Sequence, residues 1–236
     1  MNHLHSLVLA ISLLVGSVST VAAQDYGKAF EAYGAGDYQT ALQEFRPLAE
    51  QGDAHSQFWL GYMYEEGQGV LQDYAEAVKW YRLAAEQGNE FGQKTLGYMY
   101  SSGRGVLQDD AEAIRWYRLA AEQGYDGAQY NLALMYANGQ GVLQDDAEAV
   151  KWYRLAAEQG HANAQNNLGL MYEFGKGVLQ SNVMSHMWFN IASANGNKNS
   201  GEWRDGRAGL MTTADISKAQ EMARECMNSD YQNCGS

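Results

Sequence analysis

The side chains that could do chemistry are few and poorly spaced for it. Beyond residue 23 the histidines are His55, His161 and His186, too scattered along the chain to suggest a metal site. No Ser-x-x-Lys, Gly-x-Ser-x-Gly or His-Glu-x-x-His occurs, so the usual spacings for an activated serine or a zinc-bound water are missing. Gly-x-Gly pairs recur, but they end helical patterns instead of opening a helix after a strand, where they would cradle phosphate. Asp and Glu pairs are abundant and are explained by helix starts and polar helix faces. Two cysteines, Cys226 and Cys234, lie near the C-terminus. A redox-active or metal-binding thiol pair would favour Cys-x-x-Cys spacing or a nearby histidine, and neither is present. The sequence therefore predicts a non-enzyme, with no catalytic residue, no metal and no cofactor, whose work is binding.

Charge and compartment narrow the partner. The net charge is −12. Phosphate backbones and anionic membrane surfaces need a basic stripe, so nucleic acid and membrane docking are disfavoured. Residues 4–15 form an apolar run, and Val21-Ala22-Ala23 precedes Gln24. Such an h-region with a small-residue cleavage site predicts a cleavable signal peptide over 1–23, cut near Ala23, and a periplasmic or secreted protein. No later stretch is apolar enough to span a membrane. Export makes an intramolecular Cys226–Cys234 disulfide the favoured pairing.

The elements that position everything else come from one repeated phrase. Trp-Tyr-Arg-Leu-Ala-Ala-Glu-Gln-Gly occurs at 80–88, 116–124 and 152–160, with a worn copy at 188–196. The closing glycines, Gly52, Gly88, Gly124, Gly160 and Gly196, are 36 residues apart, a period that signals a solenoid. Four units follow, 53–88, 89–124, 125–160 and 161–196, each a pair of amphipathic helices. In the first helices, Gly61, Gly97 and Gly169 imply close approach of a neighbouring helix. Gly67, Gly103, Gly139 and Gly175 read as left-handed helix ends. Asp73, Asp109 and Asp145 read as N-caps, with Glu76, Glu112 and Glu148 completing capping boxes. Glu76, Lys79, Arg82 and Glu86 read as a solvated outer face, and Trp80, Trp116, Trp152 and Trp188 as a stacked ladder. Residues 25–52 form an N-terminal capping hairpin in which Pro47 should kink or restart the second helix. Residues 197–236 form a helical cap: one helix over 198–211, a last helix of about 15 residues capped by Thr212, and a disulfide tail.

The unit AxxQxxLGxMYxxGxGVxQDxAEAxxWYRxAAEQG resembles the Sel1-like repeat, a relative of the tetratricopeptide repeat, over 53–196, and 25–52 is similar to a tetratricopeptide half-unit. The C-terminal runs SHMWFNIASANG and MTTADISKAQEMAREC resemble the caps of bacterial Sel1-like proteins. The resemblance implies an all-α fold, an α/α superhelical solenoid, acting as an adaptor for protein–protein contact in bacterial envelopes or in host-cell interaction. One branch, the Helicobacter cysteine-rich proteins, implies an alternative: binding or hydrolysis of β-lactams or cell-wall fragments. This chain differs from that branch in lacking a disulfide in every unit.

In tetratricopeptide-like arrays the first helices line the concave face. Comparing the units within this chain shows which first-helix positions vary: Phe58, Trp59 and Tyr62; Lys94, Thr95 and Tyr98; Tyr130, Asn131 and Leu134; Asn166, Asn167 and Leu170. These predict a groove running from aromatic to amide-bearing, suited to a peptide or partner protein, with aromatics as anchors and amides for backbone hydrogen bonds. The competing reading is that Phe58 and Trp59 pack against the hairpin at 25–52. The chain is expected to be a monomer; a self-associating spacer is the remaining alternative.

Overall fold

The structure is a computed structural model that describes residues 26–232 and Cys234. The expected signal peptide, 1–23, lies outside the described residues. Among those residues every regular element is a helix. The chain divides into two compact units, Met1–Gln108 and Asp109–Ser236.

The first unit holds α1 (residues 26–34), α2 (Tyr38–Glu50), α3 (Ala54–Glu66), α4 (Tyr74–Glu86) and α5 (Glu90–Ser102). The second holds α6 (Asp110–Glu122), α7 (Asp126–Asn138), α8 (Asp146–Ala157), α9 (Ala162–Phe174), α10 (Asn182–Ala194), α11 (Ser200–Ala208) and α12 (Thr213–Asn228). From α2 to α5 and from α6 to α10, helices adjacent in the chain pack on one another within each unit, and α10 carries both α11 and α12.

Local chemistry sets the helix boundaries. The carboxylates of Asp37, Asp53 and Asp73 and the amide oxygen of Asn89 accept backbone N–H groups at the starts of α2 to α5, each cap worth about 1 kcal/mol. In the second unit Asp109, Asp145, Ser181 and Thr212 do the same. The capping boxes are half-built. The N–H of Asp73 already bonds the carbonyl of Tyr64, 2.9 Å away, so Glu76 has no donor to reach back to. Glu76 pairs instead with Lys79 at 2.6 Å, and Glu112 and Glu148 turn to Arg115 and Lys151.

Pro47 does not divide α2, which runs unbroken from Tyr38 to Glu50. The proline sits in the last turn and leaves one carbonyl, that of the exposed Gln43, without its helical N–H donor. At the other end the first cap helix is shorter than expected, Ser200–Ala208, whereas α12 matches its expected start and length.

Two sets of rungs repeat with the 36-residue period. Gln57, Gln93, Gln129 and Gln165 are buried and donate to the carbonyls of Ala49, Ala85, Ala121 and Ala157 at 3.0–3.2 Å. Arg46, Arg82, Arg118 and Arg154 donate to the hydroxyls of Tyr64, Tyr100, Tyr136 and Tyr172. The motif arginine is thus a staple between one hairpin and the next helix, not part of a purely solvated face. Gly61 is needed for close approach: a Cβ there would stand 2.9 Å from the Tyr81 ring, and one at Gly169 would stand 2.8 Å from Phe189.

The tryptophans do not stack as a ladder. Trp152 and Trp188 share no ring contact among the described residues; Lys151 Nζ lies 5.2 Å from the Trp152 ring, and Trp188 is wholly buried in the core formed by α7 to α10 and α12.

Candidate functional site

The first unit contains an open aromatic cleft. Its volume is about 600 Å³, and its lining is Tyr26, Phe30 and Tyr33 from α1, His55, Phe58, Trp59 and Tyr62 from α3, and Phe91 from α5. Helical spacing explains the set. Positions 26, 30 and 33 share one face of α1, and 55, 58, 59 and 62 share one face of α3.

Trp59 is the hub. One face stacks on the buried Phe45 at 6.1 Å and 10°. Phe30, Phe58 and Tyr62 stand edge-on around it at 5.4, 5.7 and 5.8 Å, and Tyr33 tilts against it at 4.8 Å. Its indole N–H donates to the Tyr26 hydroxyl at 3.1 Å. Packing against the hairpin and lining the cleft are therefore both true of Trp59. The rim is open: Phe30 is 48% exposed and Phe91 40%. Burial raises the Tyr26 phenol and pushes that of Tyr33 up to about 12, so both present hydroxyls, not phenolates.

Of the other candidates in this unit, Lys94 and Thr95 are half-buried on α5, and Tyr98 is exposed. Below the cleft, buried Tyr81 donates to Glu65 at 2.7 Å, and Arg104 pairs with the same carboxylate at 3.3 Å.

The second unit places its candidates differently. Tyr130 is half-buried, stacked on His161 at 4.7 Å and tilted against Tyr153. Asn131, Leu134 and Leu170 are half-buried. Asn166 and Asn167 have protein partners. The Ser200 hydroxyl donates to the Asn166 carbonyl oxygen at 2.8 Å, the Asn166 amide reaches Asn167 at 3.3 Å, and the Asn167 amide donates to the Tyr153 hydroxyl at 3.1 Å. Asn166 thus braces α11 against α9, and Asn167 ties α9 to α8. Buried Glu173 pairs with Arg207 of α11 at 2.5 Å, and burial raises its carboxyl. A second, more polar cleft of about 410 Å³ lies along α11, lined by Asn199, Glu202, Trp203, Gly206 and Arg207.

The two cysteines form a disulfide, Cys226–Cys234. Among the described residues no group of His, Cys, Asp and Glu could hold a metal ion, and no helix is long and apolar enough to cross a membrane.

The Sel1 repeat family model matches four times, over residues 54–89, 93–125, 127–161 and 162–197. The chain belongs to the Sel1 repeat family. Its fold is the all-α superhelical solenoid of that family, and two solved structures share it closely. One is c5321, a protective antigen of uropathogenic Escherichia coli strains. It is 36% identical with a TM-score of 0.79 over 92% of this chain, and this chain spans about half (48%) of that protein's length. The other is a Sel1 repeat protein of Oxalobacter formigenes, 28% identical with a TM-score of 0.75, covering 86% of this chain and 83% of that one. A Sel1 repeat protein of Klebsiella pneumoniae, 24% identical with a TM-score of 0.51 over 79% of this chain and 93% of that one, shares the fold. No curated protein matches the chain. Sel1 repeat proteins generally act as protein-interaction scaffolds, and the fold is typically non-catalytic.

In this Sel1 repeat protein, sequence comparison found Phe58, Trp59 and Tyr62 but missed Tyr26, Phe30, Tyr33, His55 and Phe91. Three of these lie on α1, outside the repeats being compared. His55 and Phe91 occupy the same repeat position, which also varies (Gly127 and Asn163 in the other units), so widening the comparison would have found them.

Proposed function

We propose that this Sel1 repeat protein is a non-catalytic adaptor of the bacterial cell envelope, or a secreted one, that binds a peptide or partner protein on the surface of its first helices. The aromatic cleft of the first unit is the principal seat. Residues 25–52 act as its N-terminal cap and residues 197–236 as its C-terminal cap.

The observation that carries this reading is the cleft itself: eight ring-bearing side chains around about 600 Å³, with two phenyl rings 40% or more exposed. Rings left open to water have no folding benefit where they are exposed, and clustered aromatics are the commonest anchors of protein interfaces. The disulfide supports an oxidising compartment. The similarity to a protective antigen supports display outside the cytoplasm.

The test is crosslinking capture from an envelope extract, wild type beside a Phe30→Ala/Phe91→Ala variant. These rim rings are better targets than Trp59, whose loss would also release the hairpin. A protein captured by the wild type and lost by the variant is the expected result. If every captured protein is retained by a folded variant, the cleft is not the binding surface.

A further inference from the structure

We infer that the aromatic cleft accepts a cationic side chain, arginine or lysine, carried on an extended basic segment of the partner. This rests on the adaptor reading and specifies its ligand.

Three observations point the same way. First, the lining offers ring faces and phenol oxygens but no lysine or arginine. A guanidinium or ammonium over a tryptophan or tyrosine face is attracted by the ring quadrupole, most strongly where water is partly excluded. Trp59, stacked on Phe45 and ringed by Phe30, Tyr33, Phe58 and Tyr62, forms the floor of the cleft, and the exposed rings of Phe30 and Phe91 form its rim. Secondly, this chain already uses that pairing internally. Arg104 lies 4.2 Å from the Tyr74 ring centroid. Thirdly, the electrostatics favour a cation. Residues 26–108 carry eleven carboxylates against six lysines and arginines, within a chain of net charge −12. Such a field concentrates basic partners and speeds their encounter.

Other occupants fit less well. A proline-rich segment docks by giving its carbonyls to indole and phenol donors, but the Trp59 N–H is already bonded to Tyr26. An acidic peptide would meet the protein's own negative field. The volume exceeds a single ammonium group, which is why a side chain with its flanking peptide is the better match.

The experiment is isothermal titration of the exported chain with four capped nine-residue probes. One alternates arginine with alanine, one replaces each arginine with neutral citrulline, one replaces it with proline and one with glutamate. The arginine probe should bind, and the citrulline probe should bind roughly 3- to 30-fold more weakly. Phe30→Ala and Phe91→Ala, checked for fold by circular dichroism, should each weaken the arginine probe several-fold while leaving the glutamate probe without measurable binding. Equal affinity for arginine and citrulline, or tighter binding of the proline probe, overturns the inference. So does arginine binding indifferent to both ring variants, which would place the peptide on general surface charge, and so does no binding of the arginine probe. If the ring variants still lose a captured envelope protein in any of these cases, the adaptor surface stands and only the cationic occupant falls.

Discussion

Glycines that look alike in the repeat should differ sharply when replaced. Gly69 and Gly88 both recur every 36 residues, and both hold left-handed backbone, with φ of +71° and +89°. An alanine at Gly88 meets nothing within 4 Å. It carries only the left-handed strain of an L-residue, roughly 1–2 kcal/mol, part of which is offset by a stiffer unfolded chain, about 0.4–1 kcal/mol. At Gly69 the new Cβ would stand 2.5 Å from the carbonyl oxygen of Tyr38 and 2.9 Å from its carbon, both backbone atoms that cannot swing aside. Overpacking of this kind adds about 1–3 kcal/mol. The same loop is tied to α2 by Gln39, which donates to the Gly69 carbonyl at 3.0 Å, so the shift would disturb that bond too. We expect Gly88→Ala to destabilise by about 1 kcal/mol and Gly69→Ala by about 2–4 kcal/mol. Urea unfolding followed at 222 nm reads the difference. Equal losses at the two positions would refute the assignment of Gly69 to steric contact.

Three further outcomes follow from the geometry. Tyr172→Phe should cost about 1–2 kcal/mol by removing the acceptor of Arg154, 2.6 Å away, and the double variant with Arg154→Ala should cost less than the sum of the singles. His161 caps α9 by accepting the Ala164 N–H on Nδ1 at 3.1 Å, which requires the neutral ring, and burial depresses its pKa. The unfolded chain therefore binds the proton more readily, so this stabilisation is full above the ordinary histidine range and is lost as pH falls through the depressed value. Buried His186 acts in the same direction. The urea midpoint should drop between pH 7 and pH 5, and His161→Asn, which can still cap, should flatten that drop; an unchanged slope would count against the cap. Cys226→Ser should weaken the C-terminal tail by about 2–3 kcal/mol for a loop of this length. Hydrogen exchange should accelerate around Tyr231, whose hydroxyl bonds Asn195 at 3.0 Å, and leave α6 to α8 unchanged.

Much of the fold was legible because identical residues recur where identical packing recurs. The aspartate caps and the left-handed glycine helix ends both follow from the 36-residue period. Departures came where a group had two possible partners. Glu76 fits a capping box by spacing, but the Asp73 N–H was already bonded to Tyr64, a partner nine residues back that spacing does not reveal. Arg82 reads as a solvated charge on its own helix and becomes a staple only because Tyr100 lies against it. Trp152 and Trp188 recur like ladder rungs, but recurrence sets equivalent positions and not contact.

The same distinction decides where binding is sought. Variation between repeats marked Phe58, Trp59 and Tyr62 together with Asn166 and Asn167, and treated both groups alike. In the second unit the amides have partners within the protein: Asn166 accepts from Ser200 of α11 in the cap, and Asn167, like Asn131 an asparagine, donates to Tyr153 of α8. In the first unit α1 packs on Trp59, and Phe30 and Phe91 at the cleft rim remain partly exposed. A terminal repeat whose variable residues are matched by its cap serves the fold. One whose cap adds further exposed rings to the same cleft has unused contact area, and that area is what an interaction partner would cover.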